Sequence, residues 1–479
     1  MNPSAHRFGS HSHPKATAIL AFALALAARS NAQDPSLDLA RSLVLAQCPA
    51  TDDPAREAEV LLTAAMAQPR SPIAAALVAE ARQRLQAAAV PAGIEELLRK
   101  SDNDTPRHGL LELELDELRD ELRQRNGEAR SPTTYLGFAS KVQVIGPFGD
   151  EGRHFLDVWF APDAGFPSAA DTVAGRFGEV SVRTLERATD RRGFDLQPRT
   201  AQRAGSHFVR WRIDAAAAIT GFLEVDYRGS FSAKVDGTEV GRSDPYLAPE
   251  PRVQRWPIQL TAGIHEIVIK TGDDSDSPLG LRCCDAAGSA LAQITELDAE
   301  ATATPAAADP RHTGTFRDAA ATLAEAASNA TGQDRAMLRL AAVHEHRRNQ
   351  DGDAAVSILL QLEQDPPTDP SLQLVFAEQW LRTNEFPDEI RNAKARALET
   401  LAIKGLPESH HKALLARVRK LEEQDQREQA LRLLRGEIDA GRAGPVTFAT
   451  ASSTLRALRF QAEMPRLLEA WSTACPADV

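Results

Sequence analysis

Aromatic residues make up only 5% of the 479 positions. A core built on large rings is therefore disfavoured, and the abundance of alanine points to close, small-residue helix packing. Cysteine is sparse: Cys48, Cys283, Cys284 and Cys475. No two of them form a CxxC pair, so the spacing does not match a zinc site. Cys283 and Cys284 are neighbours, which strains a mutual disulfide, and in a strand they would face opposite sides. We read these thiols as buried and free, or as one incidental bridge. Basic charge is outweighed, with 55 Lys and Arg against 67 Asp and Glu and a net charge of −12. That average field repels a phosphate backbone, so no nucleic-acid partner is expected. The local run Arg187, Arg191, Arg192 and Arg199 is interleaved with Glu186, Asp190 and Asp195 and reads as a solvated face. HExxH, GxSxG and GxxxxGK[ST] do not occur. No metal or cofactor is expected, and the chain is read as not being an enzyme.

What is present begins with a leader. His6, Arg7, His11, His13 and Lys15 precede an apolar run from Ala16 to Ala28, and Ser30-Asn31-Ala32 places small residues before a cleavage point. Residues 1–32 are thus expected to be a signal peptide. The run is short for a bilayer-spanning helix, which takes about 20 residues. The expectation is an exported protein (periplasm, cell envelope or secreted) that does not span the membrane after cleavage. Hydrophobic residues at 43% and charged residues at 25% fit an ordinary folded chain.

Residues 33–127 carry helical periodicity. Asp34-Pro35, Asp53-Pro54 and Ser71-Pro72 each read as a cap followed by proline in the first turn. Leu111, Leu115, Leu118 and Leu122 form a stripe on a fourth helix. Between residues 133 and 297 the pattern becomes strand-like. Strands are expected at Lys141–Ile145, Phe155–Phe160, Thr172–Phe177, His207–Ile213, Gly221–Tyr227, Phe231–Val235, Val253–Leu260 and His265–Lys270. Asp236-Gly237 supplies a tight turn, and Thr261-Ala262-Gly263 reads as a second hairpin. Residues 298–312 read as an exposed linker. Residues 313–479 are helical again, with small residues recurring at Ala341, Ala377 and Ala416.

The stretch "AAVHEHRRNQDGDAAVSILLQLEQDPP" resembles a tetratricopeptide repeat: small residues on the first helix, glycine at the turn, alanine on the second helix, proline at the end. The fold expected is therefore multidomain α + β, an antiparallel jelly-roll-like β-sandwich between helical hairpin segments. The segment Val142 to Asp163 resembles part of a domain-of-unknown-function family of bacterial exported proteins that carry a transglutaminase-like domain further along. Ile145-Gly146-Pro147-Phe148, Gly152, Asp157, Pro162 and Asp163 carry the match, and Val142 departs from the family's leading tryptophan. Proline there ends a strand, so a folding role is expected first. The catalytic domain of that family needs a Cys, a His and an Asp. None of the four Cys has that context, and the resemblance implies the non-catalytic portion only.

"FSAKVDGTEVGRSD" and "QRWPIQLTAGIHEIVIKTG" are similar to carbohydrate-binding jelly rolls of the protective-antigen and galactose-binding types. A sugar site needs an aromatic platform and orienting polar groups. The candidate ligand-binding residues are Trp211, Tyr227, Tyr246 and Trp256, each of which reads first as a core or edge aromatic. Asp273, Asp274 and Asp276 lack the calcium-loop spacing and read as a solvated loop, and His410-His411 has no partner at metal spacing. Two uses of the chain follow: a protein-interaction scaffold whose helical repeats offer a groove to a protein partner, or a glycan-binding envelope module. The non-catalytic half of a transglutaminase- or peptidase-like machine is a third.

Overall fold

The fold was analysed in a computed structural model that describes residues 35–86, 90–100, 107–128, 136–149, 155–187, 193–196, 205–243, 253–272, 278–297 and 309–475. The expected signal peptide, Tyr246, the Asp273–Asp276 loop and most of the expected linker lie outside these residues. Among the described residues the chain is mixed helix and sheet, with fourteen helices and antiparallel sheets that do not close into a barrel.

Five helices precede the strands: α1 (Pro35–Gln47), α2 (Pro54–Ala67), α3 (Pro72–Leu85), α4 (Ala92–Lys100) and α5 (Gly109–Arg125). Nine follow: α6 (Ala319–Asn329), α7 (Gly332–Arg348), α8 (Gly352–Gln364), α9 (Pro370–Leu381), α10 (Asp388–Gly405), α11 (His411–Glu423), α12 (Arg427–Asp439), α13 (Pro445–Ala457) and α14 (Met464–Ala474). The cap-proline pairs set the starts. The Asp53 carboxylate accepts from the Arg56 N–H at 3.0 Å, and Asp369 accepts from Ser371 and Leu372 at 2.9 and 3.1 Å. Ala341, Ala377 and Ala416 are all buried, which lets neighbouring helices approach closely.

The two helical stretches, far apart in sequence, form one body. Leu43, Leu62, Leu77 and Leu111 share a single core with Leu340, Val375 and Trp380. A second, smaller core holds the last helices, where Phe448 stacks on Trp471 at 5.9 Å. The strand region is thus an excursion from a continuous helical body.

The strands are β1 (Lys141–Phe148), β2 (Thr172–Gly175), β3 (Gly178–Ser181), β4 (Arg183–Glu186), β5 (Ser206–Ala215), β6 (Ile219–Asp226), β7 (Phe231–Val235), β8 (Thr238–Ser243), β9 (Val253–Leu260), β10 (Gly263–Thr271), β11 (Gly280–Cys284) and β12 (Ile294–Glu296). The larger sheet runs β4-β1-β5-β10-β7-β8, with β12 also beside β5. The smaller runs β11-β6-β9, and β2 pairs only with β3. Val209, Trp211 and Ile213 alternate along β5 and share one core with Leu223 and Val225 of β6 and Leu281 and Cys283 of β11. The opposite face of the larger sheet buries Ile145, Phe148 and Phe208 beneath Phe160, Phe166, Val173 and Val180.

The Asp236-Gly237 turn forms as expected, with φ of +50° and +80° between paired Val235 and Thr238. Three expectations fail. The proline of Gly146-Pro147 does not end a strand, because β1 continues through it to Phe148 with a shift of register between Ile145 and Phe148. Where alternation predicts a strand over Phe155–Phe160, a 3-10 turn forms at Phe155–Asp157, and the Phe160 N–H donates to the Asp163 carboxylate at 3.0 Å. The Thr261-Ala262-Gly263 link is not a hairpin, because β9 pairs with β6 whereas β10 lies between β5 and β7. Ile258, Leu260, Ile267 and Ile269 face the same core from different sheets. Alternation marks the buried face and is silent on which sheet supplies it.

Candidate functional site

A cleft of about 970 Å³ lies where the helical body meets the smaller sheet. Helices α3, α5 and α6 and the end of α7 form one side, and β6, β9 and β11 form the other. On the helical wall, Glu114, Glu117 and Glu121 sit at helical spacing on α5, so they share one face. All three converge on the Arg82 guanidinium: Glu114 at 2.6 Å, Glu121 at 2.8 Å, and Glu117 in direct contact. Burial alone would lower the Arg82 pKa, but the three carboxylates outweigh it and raise it. This acidic stripe is the complement of the leucine stripe read in the sequence. It was legible there, though its basic partner on α3 was not.

On the sheet wall, Glu224 is 2% exposed and is gripped by two arginines. Arg255 Nε donates at 2.6 Å, while Arg282 donates at 2.7 and 2.9 Å. Burial pushes the Glu224 carboxyl up, and the two guanidinium groups more than reverse this, bringing it to about 2. Arg282 also donates to the Gly288 carbonyl at 3.1 Å, and Arg255 lies over the Phe316 ring at 4.3 Å. The latter contact joins the sheet to the approach to α6. At the rim, His346 Nδ1 lies 2.9 Å from Asp351 Oδ2, and Asp351 also caps α8. A His–carboxylate pair can serve as a general base, yet the described lining residues include no Ser, Thr or Cys for it to activate.

None of the four cysteines forms a disulfide. Burial pushes Cys48 and Cys284 up to about 12 and Cys283 higher still, so all three stay thiols, whereas the nucleophilic form is the thiolate. Among the described residues no cluster of three or more His, Cys, Asp or Glu side chains is placed to hold a metal ion.

The four candidate aromatics do not converge. Trp211 is 3% exposed, lies in the shared core and donates from Nε1 to Glu296 at 3.0 Å. Tyr227 is 4% exposed and meets Phe231 edge-on at 6.0 Å. Neither offers a ring face to a ligand. The alternation Val209-x-Trp211-x-Ile213 already pointed Trp211 inward. Trp256 is half-buried against Phe231 and lies over Gly241, where an added Cβ would fall 2.1 Å from the indole. Tyr246 is outside the described residues. Among the described residues the exposed rings are instead Trp159, Phe177 and Phe460.

One face of the later helices is covered from within the chain. Helices α7, α9, α11 and α13 are the first helices of successive hairpins, and residues 35–53 run along them. Helix α1 packs on α7. Gln379 Nε2 donates to Gln47 at 2.7 Å. The His411 and Lys412 N–H groups donate to the carbonyls of Ala50 and Pro49 at 3.1 and 3.3 Å. The Asp52 carboxylate, 2% exposed, accepts from the N–H groups of Gly444, Val446 and Thr447 at 3.0, 3.3 and 2.7 Å. A loop near the start of the chain therefore caps two helices near its end.

Comparison with family models, curated proteins and solved structures found no match to the chain. The resemblance carried by Val142 to Asp163 gains no support from these comparisons, and several of that segment's residues have a folding task. The Gly146–Pro147 bond is cis, and Phe148 stacks on Phe160 at 5.5 Å and meets Phe208 edge-on at 5.6 Å. Asp163 pairs with Lys270 at 2.8 Å and Asp157 with Arg242 at 2.7 Å.

Proposed function

We propose that the chain is an exported, non-catalytic interaction scaffold that receives a basic peptide segment of a partner protein in the cleft between its helical body and its smaller sheet. In this reading the two sheets are a jelly-roll-like sandwich, which their common core supports, and the helix pairs are tetratricopeptide-like hairpins, which the buried alanines support. The observation that carries the reading is the cleft's charge. Its described lining includes eight carboxylates, four arginines and no lysine in about 970 Å³, a volume at the upper end of ordinary ligand pockets. A field of that sign attracts lysine and arginine side chains. The repeat face is a weaker candidate because residues 35–53 already lie along it.

The test is fluorescence anisotropy with the full chain and two labelled decapeptides, alternating Lys-Ala and alternating Glu-Ala. The expected result is binding of the Lys-Ala peptide alone. That binding weakens several-fold between 50 and 200 mM salt, concentrations at which screening lengths are about 14 and 7 Å. Glu117→Lys and Glu121→Lys each weaken it about tenfold or more. Equal binding of both peptides, or binding indifferent to both substitutions, overturns the cleft as the site. Cleavage or cross-linking of the bound peptide overturns the non-catalytic reading.

A further inference from the structure

Trp159 is 68% exposed, more than any other large hydrophobic side chain described. Leaving an indole in water forgoes the stabilisation its burial would bring. On a loose tail that would mean little, but the residues around Trp159 are fixed. The Asp157 carboxylate pairs with Arg242 of β8 at 2.7 Å. The Val158 carbonyl accepts from Lys270 of β10 at 2.6 Å, and that lysine is itself buried. The Phe160 N–H donates to Asp163 at 3.0 Å, and its ring stacks on Phe148. Both sides of Trp159 are tied to different parts of the larger sheet, and its indole is presented to solvent beside the exposed side chains of Val158 and Asp157.

We infer that Trp159, with the Asp157–Arg242 pair beside it, is a glycan-binding platform on the outer face of the larger sheet, taking a neutral pyranose. This goes beyond the scaffold reading and uses a different surface. A pyranose has one apolar C–H face and a rim of hydroxyls. The indole accepts the face, and the paired carboxylate and guanidinium accept from and donate to neighbouring hydroxyls. A fixed platform avoids the ordering cost of a mobile one. Exposures of 65% for the Asp157 side chain and 34% for Arg242 leave both within reach of a ligand. A lipid surface fits less well, because inserting Trp159 would bring the Asp157 carboxylate to the interface and cost its desolvation.

The test is calorimetric titration of the full chain with β-1,4-linked tetraoses of glucose and of N-acetylglucosamine, beside sedimentation with vesicles of three parts phosphatidylcholine to one part phosphatidylglycerol. The expected result is binding of at least one tetraose. Trp159→Ala weakens it about tenfold or more, Trp159→Phe holds it within a few-fold, and Arg242→Gln is intermediate. Circular dichroism of all three variants matches that of the parent, and Trp159→Ala leaves the Lys-Ala peptide affinity unchanged. The inference is overturned if neither tetraose binds at millimolar concentration, if Trp159→Ala binds as the parent does, or if the substitution abolishes vesicle binding instead.

Discussion

Two buried carboxylate hubs in this molecule have opposite fates. Glu224, on the sheet side of the cleft, is alone between Arg255 and Arg282 and is held at about 2. Glu57, on α2 of the helical body, is pushed up by burial to about 7: Arg84 pulls it down too weakly, and Asp52, Asp53 and Glu80 push it up further. The distances explain the difference. Arg84 is committed to Glu80 at 2.7 Å and to the Ala46 carbonyl at 2.8 Å, and it reaches Glu57 only at 3.7 Å. Glu80 also has His344 Nε2 at 3.2 Å and is held at about 2 despite burial. A buried carboxylate thus stays ionised where cations outnumber it and is driven toward neutrality where one cation is shared. The sheet hub is matched, whereas the helical hub is under-matched.

The strongest way to break the contrast is to unmatch the sheet hub. Glu224→Gln leaves Arg282, which is fully buried, facing a neutral amide. Removing one partner of a buried ion pair typically costs about 3–5 kcal/mol, so urea unfolding at pH 7 is expected to show a loss of that order. A loss below about 1 kcal/mol would mean that water reaches Arg282 and that the hub is not a closed one.

A smaller effect comes from the Asp52 clamp, whose charge also acts on Glu57. Asp52→Ala removes the acceptor for three N–H groups at the start of α13, and losing such a cap costs about 1–2 kcal/mol. The expected signature is local: faster amide exchange at Gly444 and Thr447, with the sheet amides unchanged. Gly444→Ala should act alike, because an added Cβ would fall 1.9 Å from the Asp52 carbonyl oxygen. Unchanged exchange in both variants would detach the loop from the helix ends.

Local signals in the sequence were dependable and long-range ones were not. Pro35, Pro54, Pro72 and Pro370 each open a helix, and Asp236-Gly237 turns a hairpin, because caps and turns are settled within four residues. The crossover at Thr261-Ala262-Gly263 could not be told from a hairpin, since both bury the same alternating residues. β11 passed unnoticed: five consecutive buried residues, among them Arg282, give no alternation. The site fared worse for the same reason. The acidic stripe on α5 is local, but Arg82, Glu224 and Asp351 join it only through the fold. Asp52 reaches the start of helix α13, where Gly444 lies 392 residues further along the chain, with no trace in sequence spacing. Aromatic type drew attention to Trp211 and Tyr227, although the alternation around Trp211 had already placed it inside.

The finest test of the comparison is Glu57→Gln, read against pH. The Glu57 carboxyl has a folded pKa of about 7 and an ordinary value of 4.5, so between those values the folded state holds a proton that the unfolded state has released. Its contribution to stability is fully present below pH 4.5 and is lost as pH rises through 7. Glu80, held at about 2, contributes across the whole of that window and is lost only in stronger acid. His411, whose pKa burial lowers, works in the opposite sense to Glu57, weakening the fold below its ordinary value of 6.5. The parent's own pH profile therefore mixes these with other shifted groups, His207 and Glu399 among them, and the difference between parent and variant isolates Glu57. With the side chain 16% exposed, the glutamine form is expected to be about 1–2 kcal/mol more stable than the parent at pH 8 and nearly equal to it at pH 5. Denaturant titrations at those two pH values decide it. A difference that is the same at both would show that Glu57 does not titrate in this window, and the helical hub would then be as well matched as the one around Glu224.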